Sequence, residues 1–318
     1  MMARRVPPKT VAVVGLGAVA RTHLAVLADF ENVDIVCGVD PDPDRHLSFR
    51  GRSLAVFRDL TEISGIAPDL FIVTTPTSTH RAVHGEMARL FPGAQALVEK
   101  PAADNLLDAG AVLDTAGGLT TNVAYHMAYS PEVLWAAKTV DRVADELGEI
   151  ISARLVFSDP YEQTFEAASA TYGSSWIDSG INALSVLRRF SDSVTRRFLR
   201  PLGERRWSAY EAVLECRRGR TSFDATLLTS WHVTDPGRST RLFFSSGHEF
   251  LLDHHAVSAY QLYKGEVVGL FGTDGTTPRR EAHYRALYQE FFETGRVLLT
   301  SVDSFDLHRA LLDSLPSA

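Results

Sequence analysis

The sequence predicts an α/β protein, a doubly wound parallel-sheet domain followed by an α+β domain. Three observations predict it. Over the first 125 residues short apolar runs alternate with amphipathic segments. Between 194 and 272 strand-like runs follow one another with no helix between them. At 318 residues, the chain is longer than one ordinary core supports and suits two domains.

The early strands are TVAVVG (10–15), VDIVCGVD (33–40), LFIVTT (70–75), ALVEK (96–100) and LTTNVAY (119–125). Segments 18–30, 42–50, 79–91 and 104–116 between them carry helical periodicity. Connections this short call for parallel strands with helices on both faces. The rhythm then changes. Residues 130–146 read as helix, 149–159 as a long strand, 158–175 as a loop of small and polar residues, and 178–190 as helix. The runs RWSAYEAVLEC, TSFDATLLTSWHV, STRLFFSS, HEFLLDHH and AYQLYKGEVVGL suggest a mixed or antiparallel sheet. Residues 279–295 and 303–315 return to helix, with His283, Tyr284, Leu287, Phe291 and Phe292 on the apolar face. The expected domains are 1–125 and 126–318, with the last helices free to pack back on the first.

An apolar fraction of 45% and a charged fraction of 22% are those of a soluble globular protein. A net charge of −7 argues against nucleic acid as partner, while a small anionic ligand needs no basic surface. Cys37 and Cys216 form neither a disulfide framework nor a metal-ligand spacing, which fits a reducing compartment. The start MMARRVPPKTVAVVGLGAVA imitates a signal peptide, but its two glycines suit a strand entering a turn better. No run approaches the about 20 apolar residues of a membrane span, so a cytoplasmic location is expected.

TVAVVG runs directly into GLGAVARTHLAVL, which places Gly15, Gly17 and Ala20 in the G-x-G-x-x-A form of the dinucleotide fingerprint. Gly15 permits the tight turn, and Gly17 lets backbone approach a pyrophosphate. Ala20 keeps helix against strand, and the helix start through Ala18 and Val19 offers N–H groups to phosphate. Asp40 ends the second strand, 23 residues after Gly17. A carboxylate there can accept the ribose hydroxyls of NAD and repels the 2′-phosphate of NADP, unless it merely starts the turn DPDPD. Arg45 and Arg50 lie nearby and would tolerate a phosphate, so NAD(H) is preferred and NADP(H) possible. The first domain is therefore expected to be a Rossmann domain. His23 on the first helix reads more readily as structural than catalytic.

ALVEKP ends in Glu99-Lys100-Pro101, and a lysine at the carboxyl end of a parallel strand faces the ligand side of a doubly wound sheet. It can stabilise an alkoxide or share its proton. In WIDSGINALSVL (176–187), Asp178 and Asn182 stand one helical turn apart. They could cap an ordinary helix start or point together into a site.

GLGAVARTHL, TTPTSTH (74–80), EKP (99–101) and D-x-G-x-N (178–182), in that order, resemble the glucose–fructose oxidoreductase/inositol dehydrogenase (Gfo/Idh/MocA) family. The ending HYRALYQEFFETGR extends the resemblance over nearly the whole chain. It implies an open-faced β-sheet domain after the Rossmann domain. It also implies a nicotinamide-ribose loop at Thr75, Pro76, Thr77 and His80, and Lys100 near the nicotinamide with Glu99 on cofactor ribose. Asp178 and Asn182 would flank the reacting carbon. The family's usual motif is D-x-G-x-H, and Asn182 replaces its histidine. An amide cannot titrate; it only donates and accepts hydrogen bonds. GINALS (180–185) is similar to the local pattern of the aldose 1-dehydrogenases acting on galactose or arabinose. AYHMAYSP (124–131) is similar to that branch's T-W-H-S-R segment, keeping His126 and placing Tyr125 and Ala128 where it has Trp and Arg. A hemiacetal hydroxyl is acidic enough that one base, Asp178 or Lys100, suffices.

The resemblance implies an NAD(P)-dependent sugar oxidoreductase. Lys100, Asp178 and Asn182 would be catalytic, and His126 a substrate contact or an interior histidine. Two alternatives stand beside it: a keto-sugar reductase working on a nucleotide sugar, and a cofactor-binding regulator without catalysis. Asp159, Tyr161 and Tyr172 in the loop after the long strand are candidate contacts. His248, His254 and His255 lack zinc spacing and read as sheet residues. An open sheet must cover one face, so a homodimer or homotetramer is expected.

Overall fold

A computed structural model describes residues 9–114, 116–203, 208–233 and 237–313. The basic leader, the first two residues of RWSAYEAVLEC and the end of the second C-terminal helix (314–315) lie outside the described residues. The chain divides into two compact units, 1–124 with 287–305, and 125–286 with 306–318.

The first unit holds β1 (Lys9–Val14), α1 (Ala18–Leu27), β2 (Val33–Val39), β3 (Leu47–Phe49), β4 (Arg52–Leu54), β5 (Val56–Phe57), β6 (Leu70–Val73), α2 (His80–Leu90), β7 (Gln95–Glu99), α3 (Leu106–Leu113) and β8 (Thr120–Ala124). Its main sheet has the order β5-β2-β1-β6-β7-β8, and every neighbouring pair is parallel. Strands covered on both faces must be apolar throughout, which is why LFIV of β6 is wholly buried. The order reverses between β1 and β6, so the crevice beyond their carboxyl ends is the ligand position of such a sheet. Its core is formed by Phe71, Val73, Met87, Phe91 and Val98.

Segment 42–50, expected as helix, instead opens a β3–β4 hairpin with Phe49 opposite Arg52. Leu47 and Phe49 are buried around exposed Ser48, a period of two, and Arg50 and Gly51 (φ 49° and 75°) supply the positive-φ turn. Residues 287–305, among the last helices left free to pack on either domain, fall in the first unit. They are held there by aromatic contacts of Phe30 with Tyr288 and Phe292 and by Gln95 Nε2 donating to Gly295 O at 3.2 Å.

The second unit holds α4 (Pro131–Arg142), α5 (Ala144–Leu147), β9 (Ile150–Ser158), α6 (Phe165–Tyr172), α7 (Ile181–Leu187), β10 (Ser193–Pro201), β11 (Ala209–Arg218), β12 (Thr221–Ser230), β13 (Gly237–Phe244), β14 (His248–Asp253), β15 (Ser258–Tyr263) and β16 (Glu266–Gly272). Helices α8 (Arg279–Thr294) and α9 (Ser301–Leu312) each cross a division between the units. The sheet order is β10-β11-β12-β9-β13-β14-β15-β16, antiparallel except for the parallel pair β12–β9. One sheet face is buried and the other carries exposed Val156, Val268 and Leu270.

The stretch 158–175, expected as loop, contains α6, because Phe165 and Ala168 pack at helical spacing on Trp231 with Tyr161 beside them. Strand β10, absent from the sequence reading, is the arginine-rich edge SVTRRFLRP, whose exposed positions hide the alternation. Among the described residues no helix is long and apolar enough to cross a membrane.

Candidate functional site

In the first unit the glycine turn is fixed by contact as well as by conformation. Gly15 has φ +85°, and a Cβ there would lie 2.8 Å from Thr75 N and 3.0 Å from Thr74 C. The β1 and β6 turns therefore touch through a residue that must be glycine. A Cβ on Gly17 would meet nothing within 4 Å, so this backbone borders open space at the start of α1. The first turn of α1 carries no acidic residue, leaving its N–H groups and positive dipole end to an anion.

Asp40 faces this turn. Its Oδ2 accepts Leu16 N at 2.7 Å and its Oδ1 accepts Asp42 N at 3.0 Å. Each carboxylate oxygen keeps a second lone pair for a ribose hydroxyl. Thr75 Oγ1 is buried with no hydrogen-bond partner among the described residues. The open cradle at Gly17, the acidless helix start, Asp40 and this orphaned hydroxyl together fit a dinucleotide. They also settle the two arginines. Arg50 spends its guanidinium on the carbonyls of Ala28, Phe30 and Val33, and Arg45 pairs with Asp42 at 3.2 Å. Neither is committed to a 2′-phosphate.

His80 is buried, with Nε2 3.0 Å from Thr75 O and Nδ1 3.1 Å from Ala102 O. Burial pushes its pKa down despite those carbonyls, and a neutral ring donates to one of the two. Thr77 opens the short 3-10 turn Thr77–Thr79 behind Pro76, with Thr79 N donating to Pro76 O at 2.9 Å.

At the end of β7, Glu99 Oε2 accepts Lys100 N at 3.3 Å, and Glu99 Oε1 lies 2.8 Å from His23 Nε2. The other nitrogen of His23 lies 2.6 Å from the Tyr288 hydroxyl. A carboxylate only accepts, so Nε2 carries a proton; with a neutral ring, Nδ1 accepts from Tyr288. Burial, then Glu99, holds the phenol well above its ordinary pKa, so it keeps that proton. The sequence reading left His23 structural; it is one link in a buried Tyr–His–Glu chain ending beside Lys100.

In the second unit, Asp178 lies in a π-helical turn, Trp176–Gly180, that leads into α7. Single π turns inside helices are frequent at functional sites. The Trp176 indole donates to Leu311 O at 2.7 Å and lies across Gly180, where a Cβ would come within 3.1 Å of the ring. That contact explains the glycine of D-x-G-x-N. Ser179 Oγ donates to Asp159 Oδ2 at 2.6 Å, anchoring the turn to the end of β9. Asn182 Nδ2 donates to the backbone oxygen of Asp178 at 3.2 Å. Its Oδ1 is buried with no hydrogen-bond partner among the described residues. An orphaned buried acceptor costs about 1–3 kcal/mol, which a ligand hydroxyl would recover.

Around this turn, Tyr161 stacks on Tyr172 with ring centroids 5.8 Å apart and meets Trp231 edge-on. Its phenol is pushed up by burial, then by Asp178, Tyr172 and Asp159, with Arg238 opposing. Asp159 also pairs with Arg238. His126 opens a turn, His126–Tyr129, that packs against α7. Its Nδ1 is 3.3 Å from His283 Nδ1, with the rings stacked at 5.5 Å. His283 was expected on an apolar helix face; instead burial, then Arg279, His254 and Arg238, push its pKa down to about 3. His254, expected at a strand end or on a sheet face, follows the end of β14 and is fully buried, 2.6 Å from Glu132. Among the described residues no group of three or more His, Cys, Asp or Glu side chains could hold a metal.

The first unit thus gathers Gly15, Gly17, Asp40 and Thr75 at its switch point, with Lys100 at the carboxyl end of β7. The second gathers Asp178, Asn182, Asp159 and Tyr161 around one turn. The sequence reading did not single out Arg238 or Arg279 and placed His283 only on an apolar helix face; the i,i+4 spacing of Arg279 and His283 puts them on one face.

The Gfo/Idh/MocA family model, an oxidoreductase family with an NAD-binding Rossmann fold, matches residues 9–126. No curated protein sequence matches the chain significantly. Among solved structures, an Agrobacterium radiobacter oxidoreductase in complex with NAD+, L-tartaric acid and magnesium is 16% identical, at TM-score 0.76 over 95% of this chain and 94% of that one. UDP-N-acetylglucosamine 3-dehydrogenase from Acidithiobacillus ferrooxidans is 16% identical, at TM-score 0.76 over 96% of each chain. A levoglucosan dehydrogenase in complex with NADH and levoglucosan is 12% identical, at TM-score 0.76 over 94% of each.

Proposed function

We propose, from the match of residues 9–126 to the Gfo/Idh/MocA oxidoreductase family model, that the protein oxidises the anomeric hydroxyl of an aldose to a lactone. The observation that carries this reading is Asn182, whose buried Oδ1 is an unpartnered acceptor beside Asp178. An amide that titrates nowhere near neutral pH orients a hydroxyl and leaves the proton to other groups. NAD+, when bound, accepts the hydride. Gly17, the start of α1, Asp40 and Thr75 hold the cofactor, and Glu99, braced by His23, steadies the ribose side. One base, Asp178 or Lys100, takes up the hydroxyl proton, and His126 contacts the sugar.

The same reading makes the protein a homo-oligomer through the open face of the second unit's sheet. Arg154, Arg241, Leu251, Tyr260 and Leu270 stand opposite one another in a single cross-strand row there.

The test is a panel of free aldoses and polyols with NAD+ and NADP+, followed at the nicotinamide absorbance. Lactone formed from an aldose, with turnover abolished by Lys100→Ala and NADH binding retained, is the expected result. An absence of aldose turnover despite tight NADH binding would overturn the reading, and activity surviving Lys100→Ala would overturn the role of Lys100.

A further inference from the structure

Beside the Asp178 turn the second unit brings Arg238, Arg279 and His283 close enough to act on one another. Arg238 stands at the start of β13, opposite Phe157 near the end of β9. Its guanidinium pairs with Asp159, which is itself shared with Ser179, and its Nε is buried with no partner among the described residues. Next to it, His254 N donates to Arg238 O at 2.9 Å, and Arg279 Nη1 donates to His254 O at 3.1 Å. Arg279 is half-buried, and among the described residues no carboxylate lies within ion-pair distance of it. Burial, then repulsion from Arg238 and Arg280, pulls its pKa down. The nearby carboxylate of Glu132 is turned to Ser130 and His254.

One turn along α8 from Arg279, on the same face, His283 is 1% exposed, and its Nε2 has no partner among the described residues. When His126 donates to His283 Nδ1, the His283 proton sits on Nε2 and leaves a buried donor unused. Two buried nitrogens without a partner among the described residues, Arg238 Nε and His283 Nε2, thus lie near Arg279 where α8 begins, a turn that also carries Glu281. The two guanidinium groups repel each other more than Glu132 and Asp159 compensate at Arg279, and an anion resting on both relieves the repulsion. Tyr161 ties this corner to the reacting side, since Asp178, Asp159 and Arg238 all bear on its phenol.

We propose that Arg279, Arg238 and His283 form an anion subsite, and that the sugar taken by this protein carries a carboxylate or a phosphate. A uronic acid or an aldose phosphate keeps the anomeric hydroxyl of the proposed reaction and adds the charge that this corner receives. The inference rests on the Asp178–Asn182 face being the substrate side.

Calorimetric titration of the NADH-bound protein with glucose, glucuronate and glucose 6-phosphate, at one low ionic strength, tests it. The expected result is that glucuronate or glucose 6-phosphate binds about thirtyfold or more tightly than glucose, a difference typical of a partly buried charge pair. Preference between the two identifies carboxylate or phosphate. Arg279→Met should abolish the advantage and Arg279→Lys should restore part of it, with NADH affinity unchanged as the check on folding. Equal binding of all three sugars, or an acidic advantage that survives Arg279→Met, overturns the subsite. Tight acidic binding with no turnover would overturn the dehydrogenase reading and keep the subsite. Turnover of neutral aldoses with no acidic advantage would do the reverse.

Discussion

His283 should make the protein acid-sensitive, by an amount the structure allows to be worked out. The ring is buried, stacked on His126, and faces Arg279 and Arg280 from its own helix and His254 and Arg238 from the sheet side. Its pKa is pushed down to about 3, against an ordinary 6.5 in the unfolded chain. Between those values the unfolded state binds a proton that the folded state refuses, so stability is full above about pH 6.5 and falls as pH drops toward the folded value. The loss at pH 5 is RT ln(1 + 10^1.5), or about 2 kcal/mol relative to pH 7.5. His80 and His84 are pushed down by burial too and act in the same direction. Urea unfolding of the wild type and of His283→Asn, measured from pH 5 to 7.5, isolates the one group. The variant keeps a polar atom near Nδ1 and cannot titrate, so its stability should decline less on acidification by about 2 kcal/mol. A stability difference between the two proteins that does not change with pH would refute the reasoning.

Asp40→Asn keeps an acceptor for Leu16 N and removes the charge, so the ratio of NADPH to NADH affinity should rise about tenfold or more. Fluorescence titration of both cofactors checks this, and an unchanged ratio would show that Asp40 does not discriminate. Tyr288→Phe removes a 2.6 Å bond from a fully buried His23 and should cost about 1–3 kcal/mol in thermal denaturation. Because the chain ends at Glu99, KM for NAD+ should rise more than kcat falls, and an unchanged melting temperature would remove the bond from the account. Leu270→Asp places a charge on a side chain that is 64% exposed on the open sheet face. Sedimentation should find a dimer or tetramer in the wild type and smaller species in the variant, whereas a monomeric wild type would end the oligomer proposal.

The first unit was legible because its signals are local. A parallel strand buried on both faces must be continuously apolar, and a glycine turn must sit between a strand and a helix, so LFIV and VVGLG announce themselves. Segment 42–50 misled because three residues of alternation are too few to outweigh apparent helical spacing, and the turn signal was a glycine after an arginine. The edge strand β10 escaped because solvent accepts arginine at any outward position.

The second unit's site was legible only in part, for a different reason. The i,i+4 spacing of Asp178 and Asn182 says that they share a helix face; it does not say that the helix begins with a π turn. Nor does it say that the amide nitrogen is spent on the Asp178 backbone while the amide oxygen is left over. That leftover acceptor is a three-dimensional fact, as is the nearness of Arg238 from β13 to Arg279 from α8, 41 positions apart in the sequence. Substrate recognition in such a fold is assembled from strand ends and helix starts far apart in the chain. Cofactor recognition is packed into one strand–turn–helix, so it is the half a sequence can spell out.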